Sequence, residues 1–234
     1  MSIKEVATYL HLGASDVESL VKEREIPCEK QGGRVIFKRA EIDAWASRRI
    51  LTLSSKRLAA YHSKSSSQVS EYTPGAALMP QLVTRDRINA ELASKTRASV
   101  IRDLVAMAEK TDLLSDKVEL LRMIEEREQL CSTALPNGLA ILHPRHHDPY
   151  MFAESFMILG RAIQPVHFGA GDGKPTDLFF LVCCQDDRLH LHTLARLCTM
   201  CMETPLLDNL RASPSESAML DFILGSEEDV IRRL

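Results

Sequence analysis

Arg127, His143 and His190 are the residues of this 234-residue chain whose types suit a transfer of phosphate. An imidazole has an unperturbed pKa of ~6.5, so near neutral pH it offers a nitrogen lone pair. A guanidinium presents a fixed fork of donors that matches phosphate oxygens. Phosphoryl transfer asks for both: a nucleophile, and donors placed where charge gathers on the transferring oxygens. Each residue alone also has an ordinary explanation. A histidine after an apolar run is by default structural, and Arg127 beside Glu125, Glu126 and Glu128 reads as a solvated helix charge making i,i+3 and i,i+4 pairs. His146 and His147, in a His-Asp-Pro stretch, read as exposed.

Two other chemistries compete and are set aside. His190-x-His192 followed by Cys198-x-x-Cys201 contains zinc-type ligands. Leu191, Leu194, Leu197, Cys198, Cys201 and Met202 follow helical spacing, however, so both thiols join an apolar stripe and behave as small hydrophobes. Cys183 and Cys184, at the end of an apolar strand, read the same way, and no metal is expected. Gly169-Ala-Gly-Asp-Gly-Lys-Pro175 lacks the phosphate-loop spacing, because Pro175 follows Lys174 where that motif needs Ser or Thr. A hairpin turn accounts for it. No cofactor is expected.

The chain that must position these residues is 45% hydrophobic and 5% aromatic, enough for one medium domain and one small one. No apolar run approaches the ~20 residues of a membrane span, and Met1-Ser2-Ile3-Lys4-Glu5 lacks the pattern of a signal peptide, so a cytoplasmic protein with no membrane partner is expected. Six cysteines embedded in apolar segments suggest reduced thiols. The net charge of −3 hides an asymmetry. Residues 1–95 hold 15 Lys and Arg against 11 Asp and Glu, or +4, and the remainder hold 14 against 21, or −7.

Residues 1–50 read as helix, turn, helix, hairpin, helix. Ser2 to Glu5 fits a capping box, Val17, Leu20 and Val21 form the inner face of a second helix, Gly32-Gly33 marks a hairpin, and Ile42 and Trp45 belong to a third helix. Residues 51–75 are polar, with Ser63 to Gln68 typical of a linker. Residues 76–234 alternate helices and strands. Helices are expected through Val100 to Ala108, Ser115 to Arg127, His190 to Met202 and from Ala218; apolar strands at Ala140 to Leu142, Ser155 to Ile163 and Leu178 to Cys184. That pattern fits an α/β domain, a mixed sheet flanked by helices.

Four segments occur in one order: E-R-E-Q-L-C-S-T, N-G-L-A-I-L-H, G-D-G-K-P-T-D-L-F-F-L and H-L-H-T-L-A-R-L. On these the chain from about Leu78 onward resembles the enzyme IIA domain of the mannitol/fructose/nitrogen class of the bacterial phosphoenolpyruvate phosphotransferase system. The resemblance implies that His143 is the phosphorylated histidine, Arg127 the phosphate-binding arginine and His190 the second histidine of the pocket. One departure is local. The family usually places proline before the histidine, whereas here Pro144 follows His143, a shift that would re-aim the ring.

E-V-A-T-Y-L, I-P, G-G-R, F-K-R and E-I-D-A-W are similar to the excisionase branch of the winged helix-turn-helix family. That likeness implies a DNA contact, with Lys22, Arg34, Lys38 and Arg39 as its cations. The helix that would enter the groove is poorly suited to it, since Ala14, Ser15, Asp16, Glu18 and Ser19 form its outer face and carboxylates repel phosphate. The wing side carries more positive charge.

Together the two resemblances imply a regulatory phosphocarrier, a phosphotransferase working through a phosphohistidine at His143 and coupling it to DNA binding. Its expected partners are a phosphorylated HPr-type carrier protein and DNA, with a homodimer as a further option. The alternative is an interaction module that keeps the fold and has lost phosphotransfer.

Overall fold

The computed structural model describes residues 1–10, 12–54, 57, 58, 61, 76–145 and 150–233. Most of the expected linker, and His146 and His147, lie outside the described residues.

The head comprises α1 (Ile3–Tyr9), α2 (Ala14–Lys22), the antiparallel pair β1 (Glu29–Gln31) and β2 (Arg34–Ile36), and α3 (Arg39–Thr52). The capping box is formed: the Ser2 hydroxyl accepts from the Glu5 amide and the Glu5 carboxylate from the Ser2 amide. Gly32 and Gly33 turn the hairpin with φ of 57° and 78°, the left-handed values that glycine adopts without a Cβ clash.

The body is built on a five-stranded mixed sheet in the order β3-β6-β7-β5-β4. Its strands are β3 (Ile88–Leu92), β4 (Ala134–Leu135), β5 (Leu139–Leu142), β6 (Phe156–Val166) and β7 (Thr176–Cys183). Strands β3 and β6 run parallel, as do β5 and β7, while β6/β7 and β4/β5 are antiparallel. The continuous apolar runs of β5 and β7 are buried along their length, because helices cover both faces. The helices are α4 (Met79–Leu82), α5 (Arg97–Glu109), α6 (Lys117–Leu130), α7 (Asp187–Glu203), α8 (Leu206–Ala212) and α9 (Glu216–Ile231). Several begin at a side-chain cap invisible to apolar spacing alone. Asp116 accepts from the Glu119 amide, Asp186 from Arg188 and Leu189, and Ser215 from Ala218. This is why α7 starts at Asp187, a turn before its apolar stripe announced it.

One core lies between the sheet and α5 and α6. The other lies under α7 to α9 and runs without a break into the head, joining Val6, Leu10, Val17, Ile42 and Ile50 to Leu189, Leu194 and Leu197. The head is thus docked on the body, with α3 packed along α7. Where the chain enters the body, Glu227 accepts from the amides of Leu78 at 2.8 Å and Met79 at 2.9 Å and from Arg196 Nη1 at 2.8 Å, in a fully buried cluster.

Candidate functional site

Three elements bring the expected residues together. Arg127 lies in the last turn of α6, His143 directly follows β5, and His190 lies in the first turn of α7. Parallel pairing of β5 with β7, Leu142 opposite Leu181, fixes the point where His143 leaves the sheet. The turn into β5 depends on Asn137 and Gly138 at positive φ; a Cβ on Gly138 would stand 2.6 Å from Asp177 Oδ1. Asp177 is held by Arg211, which also donates to the Asn137 carbonyl, so the N-G and T-D-L segments serve one joint.

Arg127 Nε donates to His143 Nε2 at 3.1 Å, and Nη1 donates to the Cys131 carbonyl at 2.8 Å. His143 Nδ1 lies 3.0 Å from the Ile141 carbonyl. A carbonyl can only accept, so the neighbours assign the proton to Nδ1 and leave the lone pair on Nε2. The ring remains aimed at Arg127 although Pro144 follows it. The His190 ring centroid is 5.0 Å from that of His143, inclined by 50°. All three side chains are at most 2% exposed.

Arg127 Nη2 is buried and meets no hydrogen-bond acceptor among the described residues. Burial is the largest influence on this guanidinium and pushes its pKa down; the neighbouring Glu128 acts in the opposite direction. That carboxylate is already engaged, accepting from the Thr133 amide at 3.0 Å, from the Thr133 hydroxyl and from Arg97. A buried cation with one donor unused is poised for an anionic oxygen.

Sequence reasoning missed Glu128. It is 4% exposed, not a solvated helix charge, and with Thr133 it ties the end of α6 to the strand that follows. The signal was present as the strict E-R-E-x-L-x-S-T spacing, but the adjoining Glu125 and Glu126 disguised it. Glu126 meets Arg122 and Arg145 at the surface, as expected of a helix charge.

The remaining expected residues divide. Cys198 and His192 are buried within α7, and burial lifts the Cys184 and Cys198 thiols to about 12. Among the described residues no group of three or more His, Cys, Asp or Glu is placed to hold a metal ion. Lys22 and Arg34 are exposed on the head, Lys38 pairs with Glu29 and Glu41, and Arg39 turns to the body, where its Nε donates to Asp187 at 3.1 Å. A fourth side chain, unforeseen, reaches the site from the head: Ser47 Oγ lies 3.4 Å from His190 Nε2.

Residues 81–225 match the family described as phosphoenolpyruvate-dependent sugar phosphotransferase system, EIIA 2, and residues 1–50 match a helix-turn-helix domain. The nitrogen regulatory protein of Escherichia coli is 31% identical over 147 residues, 62% of this chain and 85% of that protein. The fructose-specific EIIABC component of Bacillus subtilis is 30% identical over 145 residues, 61% of this chain; the chain spans only 22% of that longer relative. Among solved structures, the nitrogen regulatory protein IIA-Ntr of Neisseria meningitidis superposes with a TM-score of 0.57 at 21% identity, covering 63% of this chain and 99% of that one. IIA mannitol of Escherichia coli gives 0.53 at 15% identity, covering 60% and 98%. At these identities the superpositions establish a shared fold.

Proposed function

The chain belongs to the EIIA 2 family of the phosphoenolpyruvate-dependent sugar phosphotransferase system, and on that premise we propose that it is a regulatory phosphocarrier accepting a phosphoryl group on His143 from a phosphorylated HPr-type protein. The observation that carries this reading is the arrangement of Arg127, with Nε on His143 Nε2 and Nη2 buried without an acceptor among the described residues. In the transfer, the phosphorus–nitrogen bond of the donor breaks as a bond to His143 Nε2 forms. The proton stays on Nδ1, which donates to the Ile141 carbonyl, and this contact holds the ring in the nucleophilic tautomer. Arg127 yields the lone pair as phosphorus arrives and turns its donors to the equatorial oxygens, with His190 alongside. Incubation with phosphorylated carrier should give acid-labile phosphate on the wild type and none on His143→Ala.

The helix-turn-helix head adds a DNA-binding role. Within that match, the helix order and the G-G-R hairpin favour an excisionase-type winged module. Lys22 and Arg34 stand exposed for phosphate contacts, whereas Lys38 and Arg39 must first exchange carboxylate partners. A second reading, an interaction module without phosphotransfer, is favoured by the burial of all three site residues. The same labelling experiment separates the two.

A further inference from the structure

Phosphoryl transfer between two imidazoles needs the donor nitrogen in line with phosphorus, on the side opposite His143 Nε2. A donor histidine can get there only if the body presents an open face around His143. In the docked chain that face is occupied. Helix α3 packs along α7, Ser47 sits on His190, and Arg39 spans to Asp187 at the start of the same helix. His143 and His190 are 2% and 1% exposed. Between head and body lies a cavity of about 1100 Å³ lined by Arg48, Arg49, Trp45, Arg127 and Ser132, but neither histidine lines it. The seam therefore leads to Arg127 and stops short of the nucleophile.

We infer that α3 occupies the surface that a phosphohistidine-bearing donor protein must take, so that docking of the head and docking of the donor exclude one another. The head is a lid on its own phosphoacceptor, latched by Arg39 on Asp187 and by Ser47 on His190. The latch is suited to opening. Arg39 is 64% exposed against 10% for Asp187, so water reaches the pair from the arginine side and can replace the carboxylate as its partner. The apolar contact beneath holds the closed state, while the charge pair sets its alignment. In the docked position the outer face of α2 and the hairpin remain exposed, and among the expected DNA cations Arg39 is the one paired with a carboxylate of the body.

This inference rests on His143 being the acceptor, and its test separates the two ideas. In the full chain, Arg39→Glu repels Asp187 and Ser47→Trp wedges α3 away from α7, whereas Arg39→Lys keeps the charge. The initial rate of labelling by phosphorylated carrier is measured for each, with histidine modification by diethyl pyrocarbonate in the absence of carrier and a thermal melt to confirm the fold. A head closed about nine-tenths of the time leaves about one tenth of the chain competent, so variants that open it fully should label about tenfold faster and Arg39→Lys near the wild-type rate. His143 should become correspondingly more reactive to the reagent. Equal labelling rates and equal reactivity in all four proteins would overturn the lid while leaving the acceptor assignment standing. No labelling of any of them would remove the acceptor assignment, and with it a lid that controls transfer.

Discussion

Arg127 Nε donates to His143 Nε2 at 3.1 Å, and that nitrogen carries the lone pair a phosphoryl group would take. The arginine is therefore both the stopper of the resting nucleophile and, once turned, the donor set for the transferred group. Removing it should slow labelling about 10²–10³-fold if it acts like a single oxyanion donor. Arg127→Lys should recover only part, since an ammonium cannot donate in a planar fork. Labelling kinetics with phosphorylated carrier check this, and an Arg127→Ala rate within twofold of wild type would contradict it.

Glu128 should prove a positioning residue. Glu128→Ala removes the acceptor of the Thr133 amide and hydroxyl and of Arg97, leaving buried donors unsatisfied at a cost of about 1–3 kcal/mol. Urea unfolding should show the loss in the midpoint. A fully stable variant would mean that water replaces the carboxylate there.

The Arg196 and Glu227 pair anchors the entry of the body, each side chain 1% exposed. Arg196→Met leaves a buried carboxylate without its cation and should destabilise the chain by about 3–5 kcal/mol, while Arg196→Met with Glu227→Gln should recover part of that loss. Denaturant midpoints for the single and double variants decide it.

Burial sets a pH dependence at the alkaline end. The Cys184 and Cys198 thiols rise from 9.0 to about 12 in the folded chain, so between those values the unfolded chain has lost protons that the folded one retains. Stability is fully present below the lower value and falls as pH rises through the window, by ~1.4 kcal/mol per pH unit per thiol. Cys198→Ala should flatten the decline measured by denaturant unfolding from pH 9 to 11. An unchanged slope would assign the decline to other groups.

DNA binding by the full chain should depend on exposed Arg34 more than on Ser15 or Ser19. Arg34→Ala should weaken binding to mixed-sequence duplex and reduce its salt dependence by about one phosphate contact. Fluorescence anisotropy across a salt series measures both. Identical salt slopes for the variant and the wild type would remove Arg34 from the interface.

Periodicity and turn chemistry revealed the architecture because they are local. Val100 to Ala108 announced α5, Gly32-Gly33 the hairpin, and the unbroken apolar runs of β5 and β7 a sheet covered on both faces. The trio of Arg127, His143 and His190 was readable because spacing along four segments constrains types of residue as well as polarity. Glu128 was not, since one buried carboxylate among surface ones has no periodic signature. Docking of the head was beyond reach for another reason. Arg39 and Asp187 are 148 residues apart, and Ser47 and His190 are 143 apart, so nothing in either neighbourhood encodes the contact.

Whether His143 Nε2 takes the phosphoryl group is decided by incubating the full chain with phosphorylated HPr-type carrier and recording the ³¹P NMR spectrum of the product. A single phosphohistidine signal of the Nε2 isomer is expected, located at His143 by peptide mass spectrometry and absent from His143→Ala. Phosphate on Nδ1, or undiminished labelling of His143→Ala, would contradict that assignment.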